Sequence, residues 1–408
     1  LAALPAEAEA RGVPHRMRLG EILRHRLGRA SEALEQYRAV VEIDPTSIEA
    51  RLAAASVLVE AGRLDEAVAE HRDIQALDAL HAESLAQQRK LLSRMGNDEL
   101  AYALAAVAVC TGQGREAEQS FYRERRSRGV RYPQVPIDGS AFAAVVVHPG
   151  EHAAGRRVLA LLSEAAHRIR PPRLADWRVG KSDRLPFRSE DPLRGLVREV
   201  SQVLDLEREV EVYISPSRVA EVELLLTDPP SIVAGDAVME TYPAMEVRFR
   251  LGQLMSYIRN RTWIAYGCGG AKLSLLVHAA CRMVEPKALF AGESEAELSE
   301  MARLIQRSLS RRGRRAMEEA CNEYLAAREP SFDLWAQAMR HTALHAGLWV
   351  VNDLETALSW LGRTDPELSP DEERDEPLVD RLRRSPLASE LIQFWMGEEY
   401  DALRRASL

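Results

Sequence analysis

LGRASEALEQYRAVVEIDP, residues 27–45, and AGRLDEAVAEHRDIQALDA, residues 61–79, are one pattern read twice. Gly28, Ala33, Tyr37 and Pro45 in the first correspond to Gly62, Ala67, His71 and Ala79 in the second, an offset of 34 residues. Gly96 and Ala101 repeat the offset once more. A fixed offset means that one supersecondary unit is stacked on copies of itself, because a single unit cannot bury its own apolar face. Within each copy the glycine marks a turn between two helices. The alanine lets those helices approach closely, and Pro45 ends the second one.

A period of 34 with small residues at the helix crossings resembles the tetratricopeptide repeat. The match is good for two repeats and decays in the third. A turn at 111–114 and a helix through Phe121 are expected to cap the array. The resemblance implies a concave groove for a protein or peptide partner. In the standard register its lining includes Arg18, Ile22, His25, Glu49, Leu52, Ser56, Glu83 and Lys90. The alternative is that the array spaces this region from further repeats upstream, since the chain starts on Leu1 and reads as a fragment.

Outward from the repeats, 408 residues are enough for two or three domains. Hydrophobic residues at 46% and charged residues at 28% are ordinary for a globular protein. A net charge of −8 argues against a nucleic-acid partner. The basic runs 123–131 and 311–315 read as solvated helix faces or ends. Cys110, Cys268, Cys281 and Cys321 are widely spaced with no C-x-x-C, which suits reduced thiols in the cytoplasm. No apolar run has the length of a membrane span.

SRGVRYPQVPIDG, residues 127–139, reads as a linker, so the repeat array is assigned 1–130 and the second domain 131–408. Asp138 is placed to cap a short helix that ends at Pro149-Gly150, and that break keeps His148 and His152 from pairing at helical spacing. Further helices are expected at 154–169 and 192–204. Three strand signals follow, around Val210–Ile214, Glu221–Leu226 and Ser231–Asp236. Leu391, Phe394 and Trp395 near the C-terminus are expected to dock on a core, after an acidic, Pro-rich loop at 367–377.

MEVRFRLGQLMSYIR, residues 245–259, is the centre of the second domain. Val247, Leu251, Leu254, Met255 and Ile258 recur at helical spacing and mark a buried face. Its core, Phe249 to Ile258, resembles the F-x-L-G-H-E-x-G-H-I stretch of gluzincin metallopeptidases of the CAAX-prenyl-protease and heat-shock-protease type. In that motif two histidines hold zinc and the glutamate is the general base. Here the ligand positions are Gln253 and Tyr257 and the base position is Leu254. The family's third ligand comes from E-x-x-A-D-x-x-G on a later helix. Residues 340–347 resemble it with Ala343 and Gly347 in register, but Arg340 replaces the ligand and Leu344 the supporting aspartate. The resemblance implies a small antiparallel sheet whose edge lines a cleft and pairs with an extended peptide. It implies no metal and no cofactor, because none of the three ligands remains.

The expected fold is therefore mainly α: repeat hairpins followed by an α+β domain resembling a zinc metallopeptidase. The expected function is a non-catalytic protein-interaction scaffold, with Gln253, Tyr257 and Arg340 converging in place of zinc. Two alternatives stand beside it. One is a peptidase with a metal relocated to His341, His345 and His278, since the first two share a helix face. The other is a structural subunit of a larger assembly. Gly267-Cys268-Gly269-Gly270 reads as a tight turn rather than as a nucleophile, and it is no dinucleotide loop.

Overall fold

The computed structural model describes residues 12–172, 174–288, 290, 292–369 and 376–407; the start of the chain and most of the acidic loop, 370–375, lie outside them. The chain divides into two compact units. One is Leu1–Gly129 with Asp365–Asp401, and the other is Val130–Thr364 with Ala402–Leu408. The first division falls between Gly129 and Val130. The segment Asp365–Asp401, expected with the second domain, belongs to the first unit.

The first unit opens with three helical hairpins. They are α1 (Val13–His25) with α2 (Ala30–Ile43), α3 (Ile48–Glu60) with α4 (Leu64–Leu77), and α5 (Ala82–Arg94) with α6 (Asp98–Cys110). A seventh helix, α7 (Glu116–Ser127), packs on α6 as the cap. Each hairpin turns through a glycine in the left-handed region: Gly28 at φ +66°, Gly62 at +74° and Gly96 at +77°. That conformation costs other L-residues about 1–2 kcal/mol, which is why the period is written in glycine. Ala33, Ala67 and Ala101, one helical turn further on, are fully buried at the crossings. Between hairpins the same device recurs. Asp44 accepts from the Thr46 amide at 3.0 Å and Asp78 from the Leu80 amide at 3.1 Å. Ser47 and His81 then cap the next helix. Asp78 thus makes the turn where the sequence has Ala79 instead of a proline.

The second unit has a three-stranded sheet of β1 (Glu211–Ser215), β2 (Val222–Leu225) and β3 (Ser231–Gly235) in the order β1-β3-β2. The sheet is mixed, which corrects the antiparallel sheet expected: β1 runs parallel to β3, and β2 antiparallel to it. The reason lies in burial. Every residue of β3 is buried, so it takes the centre, and the two strands with partly exposed residues take the edges.

Around the sheet lie α8 (Ala153–Ser163), α9 (Pro192–Val203), α10 (Ala244–Arg259), α11 (Gly270–Cys281), α12 (Glu295–Ser308), α13 (Arg311–Ala326), α14 (Phe332–Val351) and α15 (Leu354–Thr364). The helix expected after Asp138 is one α-turn that passes into a π-turn, Phe142–Val146. The central helix α10 is buried on all sides from Glu246 to Ile258, except at Arg250. A single buried face was expected. The wider burial arises because α10 packs against α14, α9, α15 and β2 at once. Its polar side chains are accordingly paired. Glu246 accepts from Ser359 at 2.8 Å and from Arg363 at 3.1 Å. Arg248 donates to the Val350 carbonyl at 2.8 Å and pairs with Glu199.

The C-terminal part of the first unit holds α16 (Leu378–Arg384) and α17 (Pro386–Met396). Leu391 and Trp395 are buried as expected, and the surface they dock on is the repeat array. The Trp395 indole donates to the Ala103 carbonyl at 3.0 Å and meets the Tyr102 ring edge-on. Arg383 pairs with Asp78 at 2.9 Å. The first contact falls on the second helix of its hairpin and the other on the residue that closes α4.

Candidate functional site

Two surfaces were singled out by the sequence, one in each unit. In the first unit, Arg18, Ile22 and His25 lie on α1, Glu49, Leu52 and Ser56 on α3, and Glu83 and Lys90 on α5. Spacings of three, four and seven put each set on one stripe of its helix, and all three are the first helix of a hairpin. Arg18, His25, Glu49, Glu83 and Lys90 are exposed, while Ile22, Leu52 and Ser56 are half-buried. On α1 and α3 the stripe thus sets exposed polar or charged side chains beside half-buried ones. Trp395 binds the second helix α6, and Arg383 the C-terminal cap of α4, so neither contact falls on this stripe.

In the second unit the two segments quoted from α10 and α14 lie against each other at two glycines. A Cβ on Gly252 would stand 2.9 Å from the Gly347 Cα and 2.6 Å from Val350 Cγ2. One on Gly347 would stand 2.9 Å from the Phe249 carbonyl oxygen and 3.0 Å from Gln253 Cγ. The backbones therefore touch, and on the same helix Gln253 is the next residue after Gly252 and Tyr257 lies one turn beyond Gln253. Leu254 and Leu344 are buried in the core.

Gln253 is held by a neighbour on its own helix. Its Oε1 accepts from Arg250 Nη1 at 3.3 Å. Arg250 also donates to the Val222 carbonyl at 3.2 Å and to Glu223 at 2.9 Å, and Glu223 takes the Tyr266 hydroxyl as well. The Tyr266 ring stands edge-on to Tyr257 at 5.4 Å. Arg340 is exposed, and among the described residues no hydrogen bond joins it to Gln253 or Tyr257. Its charge does reach Tyr257, where it favours the phenolate. Burial and the Glu151 carboxylate outweigh it, so the Tyr257 phenol is pushed well up and stays neutral. Burial likewise pushes Tyr266 up.

Glu151 is the residue that sequence reading missed. It follows the Pro149-Gly150 break, accepts from the Thr342 hydroxyl, and is pushed up chiefly by burial. Its Oε2 is buried with no protein hydrogen-bond partner among the described residues. Glu223, Arg250 and Tyr266 were missed too. Their only signal was the alternation of the edge strand, which does not say which residue faces α10.

The histidines separate into two groups. His148 stands edge-on to His341 at 5.0 Å and 6.0 Å from His345, whose Nδ1 lies 3.0 Å from the Val146 carbonyl. His278 has other neighbours: Glu329 at 3.0 Å, Glu293 at 3.4 Å and the Phe290 ring stacked at 4.1 Å. His152 caps α8 by accepting from the Gly155 amide at 2.9 Å, and its Nε2 donates to the Arg328 carbonyl. Cys268 accepts from Arg170 at 3.1 Å, yet burial pushes its thiol up, opposite to what a nucleophile needs.

The cluster around Gln253 is thus an amide, two neutral phenols, a paired carboxylate and the Arg250 guanidinium. Guanidinium repels metal ions, and amides and phenols are poor zinc ligands.

A tetratricopeptide repeat is found over residues 25–91, which takes in the end of α1, the whole of α2 to α4 and most of α5. The geometry extends the same hairpin through α6. Comparison with curated proteins gives no match. Among the described residues no helix is long and apolar enough to cross a membrane.

Proposed function

We propose that this protein is a non-catalytic scaffold, in which a repeat groove that binds a protein or peptide is joined to a metallopeptidase-like domain that has lost its chemistry. The repeat supports a role in protein–protein interaction. The observation that carries the second half is the contact between Gly252 and Gly347. It sets two sequence segments that separately resemble the two halves of a zinc site side by side. At the three ligand positions stand Gln253, Tyr257 and Arg340. No zinc ligand or general base is left in that register, while β2 is an edge strand packed against α10. Widely spaced cysteines with no C-x-x-C fit a reducing compartment, which points to the cytoplasm. A place as a subunit of a larger assembly is compatible with the same surfaces.

The experiment is elemental analysis for zinc and other transition metals on protein purified without a metal-affinity tag. The expected result is less than one-tenth of a metal ion per chain, on the order of adventitious carry-over. One ion per chain, lost when His341 and His345 are replaced, would overturn the reading in favour of a relocated metal beside His148.

A further inference from the structure

A cavity of about 640 Å³ lies along β2, walled by Leu224–Leu226, Tyr266 and Met301 and flanked by Arg170 and Lys272. The register says what β2 offers there. Glu221 accepts from the Gly235 amide at 2.9 Å and Val219 from the Ala237 amide at 3.1 Å, so the odd-numbered residues bond to β3. The N–H and C=O groups of Val222 and Leu224 therefore point away from the sheet. The Val222 carbonyl is taken by Arg250. Leu224 has no hydrogen-bond partner on that side among the described residues, although it is 4% exposed. A nearly buried, unpaired peptide group is costly, and an added strand would satisfy both its donor and its acceptor.

The charges say what such a strand carries. Arg170 is held through one nitrogen: Nη1 donates to the carbonyls of Ile264 and Tyr266 and to Cys268 Sγ. Its Nε and Nη2 have no protein partner among the described residues. Lys272, on the first turn of α11, is exposed and pairs with no carboxylate among them. Among the described residues no acidic side chain lines the cavity. A fixed guanidinium and a mobile ammonium beside an apolar wall form a receptor for a carboxylate.

We propose that this groove binds an extended, largely apolar peptide that adds antiparallel to β2 and sets an aspartate or glutamate side chain between Arg170 and Lys272. The direction decides the source of the carboxylate. The cavity lies at the C-terminal end of β2, where an antiparallel strand enters with its N-terminal half. A free C-terminus would fall at the other end, where Arg250 already occupies Val222. The proposal rests on the reading of the second unit as a binding domain.

The test is an array of acetylated, C-amidated octapeptides probed with the full chain, followed by titration calorimetry on selected sequences. Selected peptides should share an acidic residue at one position. Replacing it by its amide should weaken binding about tenfold or more, and Lys272→Glu should abolish that preference while leaving the thermal melt unchanged. Leu224→Pro, which removes the outward donor, should weaken all peptides alike. Peptides that bind without regard to the acidic residue or to Lys272→Glu would overturn this inference, and their weakening by Leu224→Pro would leave the binding domain standing apart from the repeat groove. Dependence on a free C-terminal carboxylate would overturn the side-chain assignment. No binding by any peptide would overturn both.

Discussion

Both units place glycine at helix contacts, and they do so for opposite reasons. At Gly28, Gly62 and Gly96 the backbone is left-handed and nothing lies within 4 Å of where a Cβ would stand. The requirement is conformational and local. At Gly252 and Gly347 both residues are ordinary helical positions, and a Cβ on either would strike the other helix. That requirement is steric and joins residues far apart in the chain. A local need recurs at fixed spacing and shows itself in a sequence as a period. A long-range need appears once on each side and shows itself only when the two sides are known to meet.

The largest expected effect attacks the long-range pair. Gly252→Val would put three carbons where Val350 Cγ2, the Gly347 Cα and the Ala346 carbonyl already stand. Because two of these belong to backbone, relaxation means separating α10 from α14, at a cost above about 3 kcal/mol. Denaturant unfolding of the full chain should show the transition of the second unit at markedly lower denaturant. An unchanged midpoint would mean that the two helices are not in contact at these glycines.

How much of this was legible follows the same division. The hairpins, their turns and the cap could be read because Gly28, Ala33 and Asp44 each have a counterpart 34 residues on. The helices and strands of the second unit could be read from periodicity, though not the order of the strands. That order depended on which strand is apolar on both faces, and β3 differs from β1 in this only slightly. Glu223, Arg250 and Tyr266 were not legible as a cluster, because they come from three segments joined only by the register of β2 against α10. Trp395 announced a docking helix, since an indole of that size is seldom left in water. Nothing in its neighbourhood says that its partner is the carbonyl of Ala103.

The next effect tests the array by pH. His71 is the counterpart of Tyr37, fully buried, with Nδ1 3.0 Å from the Ser84 hydroxyl. Burial, helped by His81, lowers its pKa to about 4, against about 6.5 when unfolded. The unfolded chain therefore takes up a proton that the folded array refuses. Stability is complete above about pH 6.5 and is lost as the pH falls towards 4, by roughly 2–3 kcal/mol. His71→Gln keeps a partner for Ser84 and does not titrate. Between pH 7 and 4.5 it should lose less stability than the native chain in paired urea titrations. Equal losses would mean that His71 is protonated in the fold.

The smallest effect separates the two kinds of glycine most sharply. Gly62→Ala places a methyl in open space and pays only the left-handed conformation, about 1 kcal/mol. Asparagine tolerates that conformation better, so Gly62→Asn should cost about half as much or less. At Gly252 the order reverses: φ is normal, space is the constraint, and asparagine is larger than alanine. Gly252→Asn should be the worse of its pair. The crossing can be read from four variants by thermal melts, and its sign does not depend on the absolute size of any one shift. If alanine proved the milder substitution at both positions, the turn of the repeat would be limited by contacts. The period of 34 would then report packing between neighbouring hairpins, not the conformation of the turn inside each one.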